Sequence, residues 1–141
     1  MNNLTIYIVE DEPDILEFLE ITCEEIEADF HFFLSATEAI SKMETHPPDI
    51  VLTDYNMPEM NGIEFLKKAK DYNSFMKMII LTGGSDLNAT IEAIRLGVFD
   101  YILKPCPPER ITLVLKNAQK MYSMERLNKE LLKKLQSLAS F

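Results

Sequence analysis

Four apolar runs in this chain end on polar side chains that could act together. Ile50-Val-Leu-Thr53 is followed by Asp54, and the segment up to Val9 by Glu10-Asp11. Met78-Ile-Ile-Leu81 ends on Thr82, and Tyr101-Ile-Leu103 on Lys104. Each residue alone is unremarkable. Together they supply three carboxylates, a hydroxyl and an ammonium. Carboxylates brought close repel one another, so they need a cation or raised pKa values. A hard divalent ion with oxygen ligands is the best match, and Mg²⁺ characteristically takes one or two carboxylates beside water and phosphate oxygens. Acid, hydroxyl, ammonium and metal together make a site that accepts a phosphoryl group on a carboxylate.

Whether these groups meet depends on the elements that carry them. Strand candidates at 4–9, 30–34, 50–53, 78–82 and 101–103 alternate with helical periodicity. Pro13 and early acids suit a helix start before Ile15, Leu19 and Ile26. Ser35-Ala-Thr-Glu38 reads as a capping box for a helix that Pro47-Pro48 stops. A helix with Ile63, Leu66 and Ala69 follows Gly62. Ser85 or Asp86 can cap the next, which Gly97 ends, and the last begins near Pro107-Pro108. Five strands alternating with five helices predict an α/β fold: a doubly wound, five-stranded parallel sheet of order 2-1-3-4-5, flavodoxin-like, with an extended C-terminal helix. In such sheets ligands bind beyond the carboxyl ends of the strands where the strand order reverses. Strands one and three flank that point, which brings Glu10, Asp11 and Asp54 to one edge.

VEDEP (9–13), VLTDYNMPEMNG (51–62), ILTGGSD (80–86) and DYILKP (100–105) stand in the order found in the receiver domains of two-component response regulators. The chain resembles that family over residues 4 to about 120. The resemblance implies that Asp54 takes a phosphoryl group from the phosphohistidine of a sensor histidine kinase or phosphotransfer protein. Glu10, Asp11 and the backbone carbonyl of Asn56 would hold Mg²⁺ beside Asp54, with Asp11 the direct carboxylate ligand. Lys104 would pair with Asp54 and then with the phosphoryl oxygens. Thr82 would turn inward to the phosphoryl group and Tyr101 would follow it from exposed to buried. The Lys104-Pro105 bond is expected to be cis. Glu10 stands where aspartate is frequent, so its metal contact could run through water. Gly83-Gly84 follow Thr82, where the first position is more often alanine, and should leave room and loosen the loop, while Asn56 and Gly84 lie where side chains tune the lifetime of the acyl phosphate.

Two other functions compete with a phosphoacceptor module that is no enzyme in the ordinary sense. A Mg²⁺-dependent phosphatase with an aspartyl nucleophile would want a second acid where Asn56 stands, and a substrate-gating cap for which the 141 residues leave no length. A receiver-like binding module that is never phosphorylated would not need the intact acid, threonine and lysine. His31 and His46 are expected to be uninvolved, and nothing resembles a nitrogen or sulfur metal site. Cys23 and Cys106 are too few for a disulfide framework and read as inert thiols.

The net charge of −9 is uneven. From Lys116 onward six Lys/Arg face two Glu, whereas the rest has eight against twenty-one acids. An acidic body repels phosphates, so direct nucleic-acid binding by this segment is not expected. No apolar stretch approaches the ~20 residues of a membrane span, and MNNLTIYIVEDE has no signal-peptide pattern, which makes a cytoplasmic location the default. The predicted division is a receiver over 1–120 and a helical extension over 121–141. In that extension a heptad runs through Val114, Met121, Asn128 and Leu135 at a and Asn117, Met124, Leu131 and Leu138 at d. It points to a coiled-coil homodimer, or to a helical lead into an output module, over the plainer alternative of an amphipathic extension folded back on its own domain. The chain would then be a stand-alone regulator or the N-terminal part of a longer protein.

Overall fold

A computed structural model describes residues 3–84 and 86–140. Its elements alternate strictly: β1 (Thr5–Val9), α1 (Pro13–Cys23), β2 (Asp29–Phe33), α2 (Ala36–Met43), β3 (Ile50–Asp54), α3 (Gly62–Ala69), β4 (Lys77–Thr82), α4 (Leu87–Leu96), β5 (Asp100–Leu103) and α5 (Pro108–Ala139). One 3₁₀ turn, Lys70–Tyr72, follows α3. The strands pair in parallel in the order β2-β1-β3-β4-β5, as expected.

Side chains alternate across the strands, and each face has its own core. Ile6, Ile8, Ile50, Leu52, Ile79 and Leu81 pack with Leu19 of α1 and Ile111 and Leu115 of α5. Tyr7, Val9, Val51 and Ile80 pack on the other face with Ala39, Phe65 and Ala93 of α2, α3 and α4. Burial on both faces is why the central strands read as continuous apolar runs.

The caps differ in detail from expectation. Ser35 caps α2 by accepting from Glu38 N–H, but the reciprocal capping box forms at α3, where Asn61 accepts from Glu64 N–H and Glu64 accepts from Asn61 N–H. Asp86 caps α4 through Asn88 and Ala89 N–H, while Ser85, the other candidate, lies outside the described residues. Gly97 closes α4 in the left-handed region at φ 85°. Its φ would strain any side-chain-bearing residue.

α5 runs through the expected boundary at residue 120 as one 32-residue helix. Val114 is buried in the domain, so the first a position of the heptad is taken up by the core. Tyr122 is also buried, and its hydroxyl accepts from Asn73 Nδ2 (3.0 Å) and Arg126 Nη1 (2.9 Å). Lys77 at the start of β4 pairs with Glu125 at 2.7 Å. Beyond these contacts Leu127, Leu131, Leu135 and Leu138 are exposed.

Candidate functional site

Parallel pairing puts the carboxyl ends of β1, β3, β4 and β5 along one edge, and the polar residues that follow the apolar runs collect there. One oxygen each from Glu10, Asp11 and Asp54 lies within 4.8 Å of the others. Lys104 reaches in from the end of β5, 2.6 Å from Asp54 Oδ1 and 3.3 Å from Glu10 Oε1. Asp54 and Glu10 are buried, while Asp11 is half-buried.

The backbone around Asp54 is held from several directions. Thr53 Oγ1 donates to the Asp54 carbonyl (3.0 Å), and Tyr55 N–H donates to Leu81 (3.0 Å). Gly62 N–H closes the loop on the Tyr55 carbonyl at 2.7 Å. A Cβ at Gly62 would stand 2.7 Å from the Asp54 carbonyl oxygen, closer than nonbonded atoms tolerate. The glycine lets the loop pass directly behind the acid. Lys104 N–H donates to the Thr82 carbonyl (2.7 Å), which fixes the start of the lysine relative to β4. The Lys104-Pro105 peptide is cis.

The electrostatics show a site with too few cations. Burial, with the neighbouring Asp54 carboxylate, pushes the Glu10 carboxyl up to about 7, although Glu12 N–H (3.1 Å) and Lys104 favour its charged form. Burial acts against the Lys104 ammonium, but the hydrogen bond and charge of Asp54, with Glu10, raise it above the usual lysine value. One ammonium faces three carboxyl groups. The donors are all oxygens, which fits a hard divalent cation and not a thiophilic one.

The remaining residues singled out in the sequence fall around this cluster. Thr82 is already buried, and its hydroxyl accepts from Gly84 N–H at 3.1 Å. Any inward movement is therefore an exchange of partners and not an entry from solvent. Tyr101 is half-buried against the α2–α4 core, and Asn56 is exposed in the β3–α3 loop. A Cβ at Gly83 or Gly84 would meet Lys104 Cβ at 3.9 Å or Thr82 Oγ1 at 3.7 Å, ordinary contacts. Clearance at the acid thus does not require these two glycines. Met57 and Met60 pack as loop contacts on the α2–α4 core, and Phe99 on the opposite one.

Two contacts were not foreseen: the second bond from Lys104 to Glu10, and the close approach of Gly62 to Asp54. The sequence also gave no sign that His31 and His46 meet, yet both lie on Asp29, among the amino-terminal halves of the strands.

The chain belongs to the response regulator receiver domain family, whose model matches residues 6–116. It is 30% identical over 121 residues to the regulatory protein AtoC of Escherichia coli, covering 86% of this chain and 26% of AtoC. The chain thus spans about a quarter of the length of that curated relative. Among solved structures, an adenylate cyclase from Rhodopirellula baltica superposes with a TM-score of 0.85 at 29% identity, over 94% of this chain and 98% of that one. A CheY-like receiver domain protein from Methanospirillum hungatei gives 0.82 at 27% identity, over 88% and 99%.

Proposed function

We propose that this chain is a phosphorelay receiver whose Asp54 accepts a phosphoryl group from a phosphohistidine on a sensor histidine kinase or phosphotransfer protein. The observation that carries this reading is the 2.6 Å pair between Lys104 and a buried Asp54 inside a three-carboxylate cluster. Lys104 engages Oδ1, so the second carboxylate oxygen is the one available to attack phosphorus. The P–N bond breaks, and the electron pair leaves with the donor imidazole, which takes a proton. Asp54 becomes an acyl phosphate. Lys104 stays beside it and offsets charge on the transferred group.

Glu10, Asp11, Asp54 and the Asn56 carbonyl would hold Mg²⁺. When bound, the ion neutralises the acid cluster and screens the charge of the incoming phosphoryl group. The chain's own acids are arranged for it: the buried Glu10 is pinned by Glu12 N–H and is short of counter-charge without a cation. Thr82 and Tyr101 form the switch. New phosphoryl oxygens need donors, and the Thr82 hydroxyl can serve them by leaving its own partner, Gly84 N–H. A buried threonine that rotates frees volume for the half-buried Tyr101, and the face around β5 repacks.

The receiver takes in the start of the extension predicted from residue 121, through the buried Tyr122 and the Lys77–Glu125 pair, and the rest of that helix pairs with a second copy or leads to an output module. AtoC is a longer regulatory protein matched over only 26% of its length, which favours an output part in such proteins. No helix among the described residues is long and apolar enough to cross a membrane, and a cytoplasmic site of action is proposed. Incubation with acetyl phosphate and Mg²⁺ tests the function. The expected product is one acid-stable, base-labile adduct per chain, absent when Mg²⁺ is chelated. Steady turnover of many phosphate esters would instead indicate an aspartyl phosphatase, and no adduct a silent binding module.

A further inference from the structure

A second cluster of metal-ligating side chains lies away from the acid edge. Asp29 and His31 are two apart on the edge strand β2, so their side chains share one face. His46 comes to them from the turn between α2 and β3. His31 Nε2 is 3.1 Å and His46 Nε2 3.2 Å from the same oxygen, Asp29 Oδ2. One ligand atom from each of the three lies within 4.8 Å of the others. A carboxylate only accepts, so both imidazoles turn Nε2–H toward it.

The framework holds these groups in place. The buried Tyr7 donates its hydroxyl to the His46 carbonyl, and its ring packs 5.5 Å from that of His31. The Thr5 hydroxyl lies 3.4 Å from His46 Nε2, and the two imidazole centroids are 5.2 Å apart. Three nitrogen and oxygen donors, two from β2 and one from the turn before β3, thus converge on a point open to water.

We propose that Asp29, His31 and His46 form a binding site for a divalent transition metal, with Zn²⁺ as its reference ion. Zn–N and Zn–O bonds near 2.0–2.2 Å in a tetrahedron separate the ligand atoms by about 3.4 Å. The observed nitrogen–oxygen separations of 3.1 and 3.2 Å need to open by only a few tenths of an ångström. On binding, each neutral imidazole gives up its Nε2 proton to water and takes one at Nδ1, so no net proton is released. Asp29 keeps its charge, and water fills the fourth position at this exposed surface. Two imidazoles and one carboxylate select against Mg²⁺, which prefers oxygen, so the acid edge and this site sort ions by chemistry. A bound ion would tie the edge strand β2 to the turn that leads into β3.

The test is calorimetric titration of the full chain with ZnCl₂ in excess Mg²⁺, so that the acid edge is already supplied. One Zn²⁺ per chain is expected. His31→Gln and His46→Gln should each weaken binding at least tenfold, while Asp54→Asn should leave it unchanged. The chain has two histidines, and both sets of carbon-bound imidazole proton resonances should move on adding Zn²⁺ to the unaltered protein. That readout needs no variant to fold. Absence of binding, survival of full affinity in both histidine variants, loss in Asp54→Asn, or unmoved imidazole resonances would each overturn the proposal.

Discussion

Lys104 Nζ stands 2.6 Å from Asp54 Oδ1, and the same ammonium reaches Glu10 Oε1 at 3.3 Å. One cation from the end of β5 therefore joins acids from the ends of β1 and β3. Removing it leaves two buried carboxylates facing each other. Lys104→Ala is expected to slow adduct formation from acetyl phosphate by about 10²-fold, the scale of losing one preorganised charge-stabilising group. Stopped-flow or intact-mass time courses at fixed Mg²⁺ would measure this, and an unchanged rate would remove the lysine from the chemistry.

Gly62 and Gly83 should respond oppositely to alanine. A Cβ at Gly62 would collide with the Asp54 carbonyl at 2.7 Å, whereas at Gly83 it meets nothing nearer than 3.9 Å. Neither has positive φ, so clearance and chain entropy decide the outcome. Gly62→Ala should cost about 1–3 kcal/mol and slow phosphorylation. Gly83→Ala should stabilise by about 0.4–1 kcal/mol through the unfolded chain. Urea unfolding of both variants decides it, and equal effects would contradict the reading.

The burial of Tyr122 extends what the receiver needs of α5. Truncation after Lys120 removes Tyr122 and Glu125 and should destabilise the domain by about 3 kcal/mol, the scale of deleting a large buried aromatic side chain. Truncation after Arg126 keeps both and should retain the stability of the monomeric domain. A thermal melt of the two forms distinguishes them; similar midpoints would show that Tyr122 contributes little.

Leu127, Leu131, Leu135 and Leu138 are each between 48% and 67% exposed on α5, an apolar stripe that this chain does not cover. Sedimentation equilibrium is expected to find a dimer for the full chain and a monomer for the form ending at Arg126. Equal monomer masses would end the coiled-coil assignment.

Burial pushes the Cys23 thiol up to about 12, and the half-buried Cys106 is raised by less complete burial. Thiolate, not thiol, is the nucleophile, so iodoacetamide near pH 8 should alkylate Cys106 first and Cys23 only after unfolding. Peptide mapping of the labelled protein checks the order, and early labelling of Cys23 would show that α1 opens readily.

The edge that carries Asp54 was legible because doubly buried strands must be apolar until they end. A run such as Ile50–Thr53 therefore announces both the strand and the residue delivered at its tip. Once five such runs alternate with helices, topology carries Glu10, Asp11, Thr82 and Lys104 to the same side. What the sequence hid depends on register and on turns. Asp29 and His31 share a face by spacing, but their meeting with His46 is made by a turn whose path no local pattern fixes. Tyr122 was hidden for the opposite reason: an unbroken helical period shows no mark where packing on the domain stops. The capping box read at Ser35 forms only its first bond, whereas the reciprocal pair closes between Asn61 and Glu64, which the sequence reading did not single out.

Borohydride trapping after phosphorylation with acetyl phosphate and Mg²⁺ tests the central claim most directly, because it converts an aspartyl phosphate to homoserine at the residue that carried it. Tandem mass spectrometry should locate the conversion at Asp54 alone, and Asp54→Asn should abolish it. Homoserine at Asp11 or elsewhere in the unaltered protein, or none despite a stable phosphoryl adduct, would contradict the account.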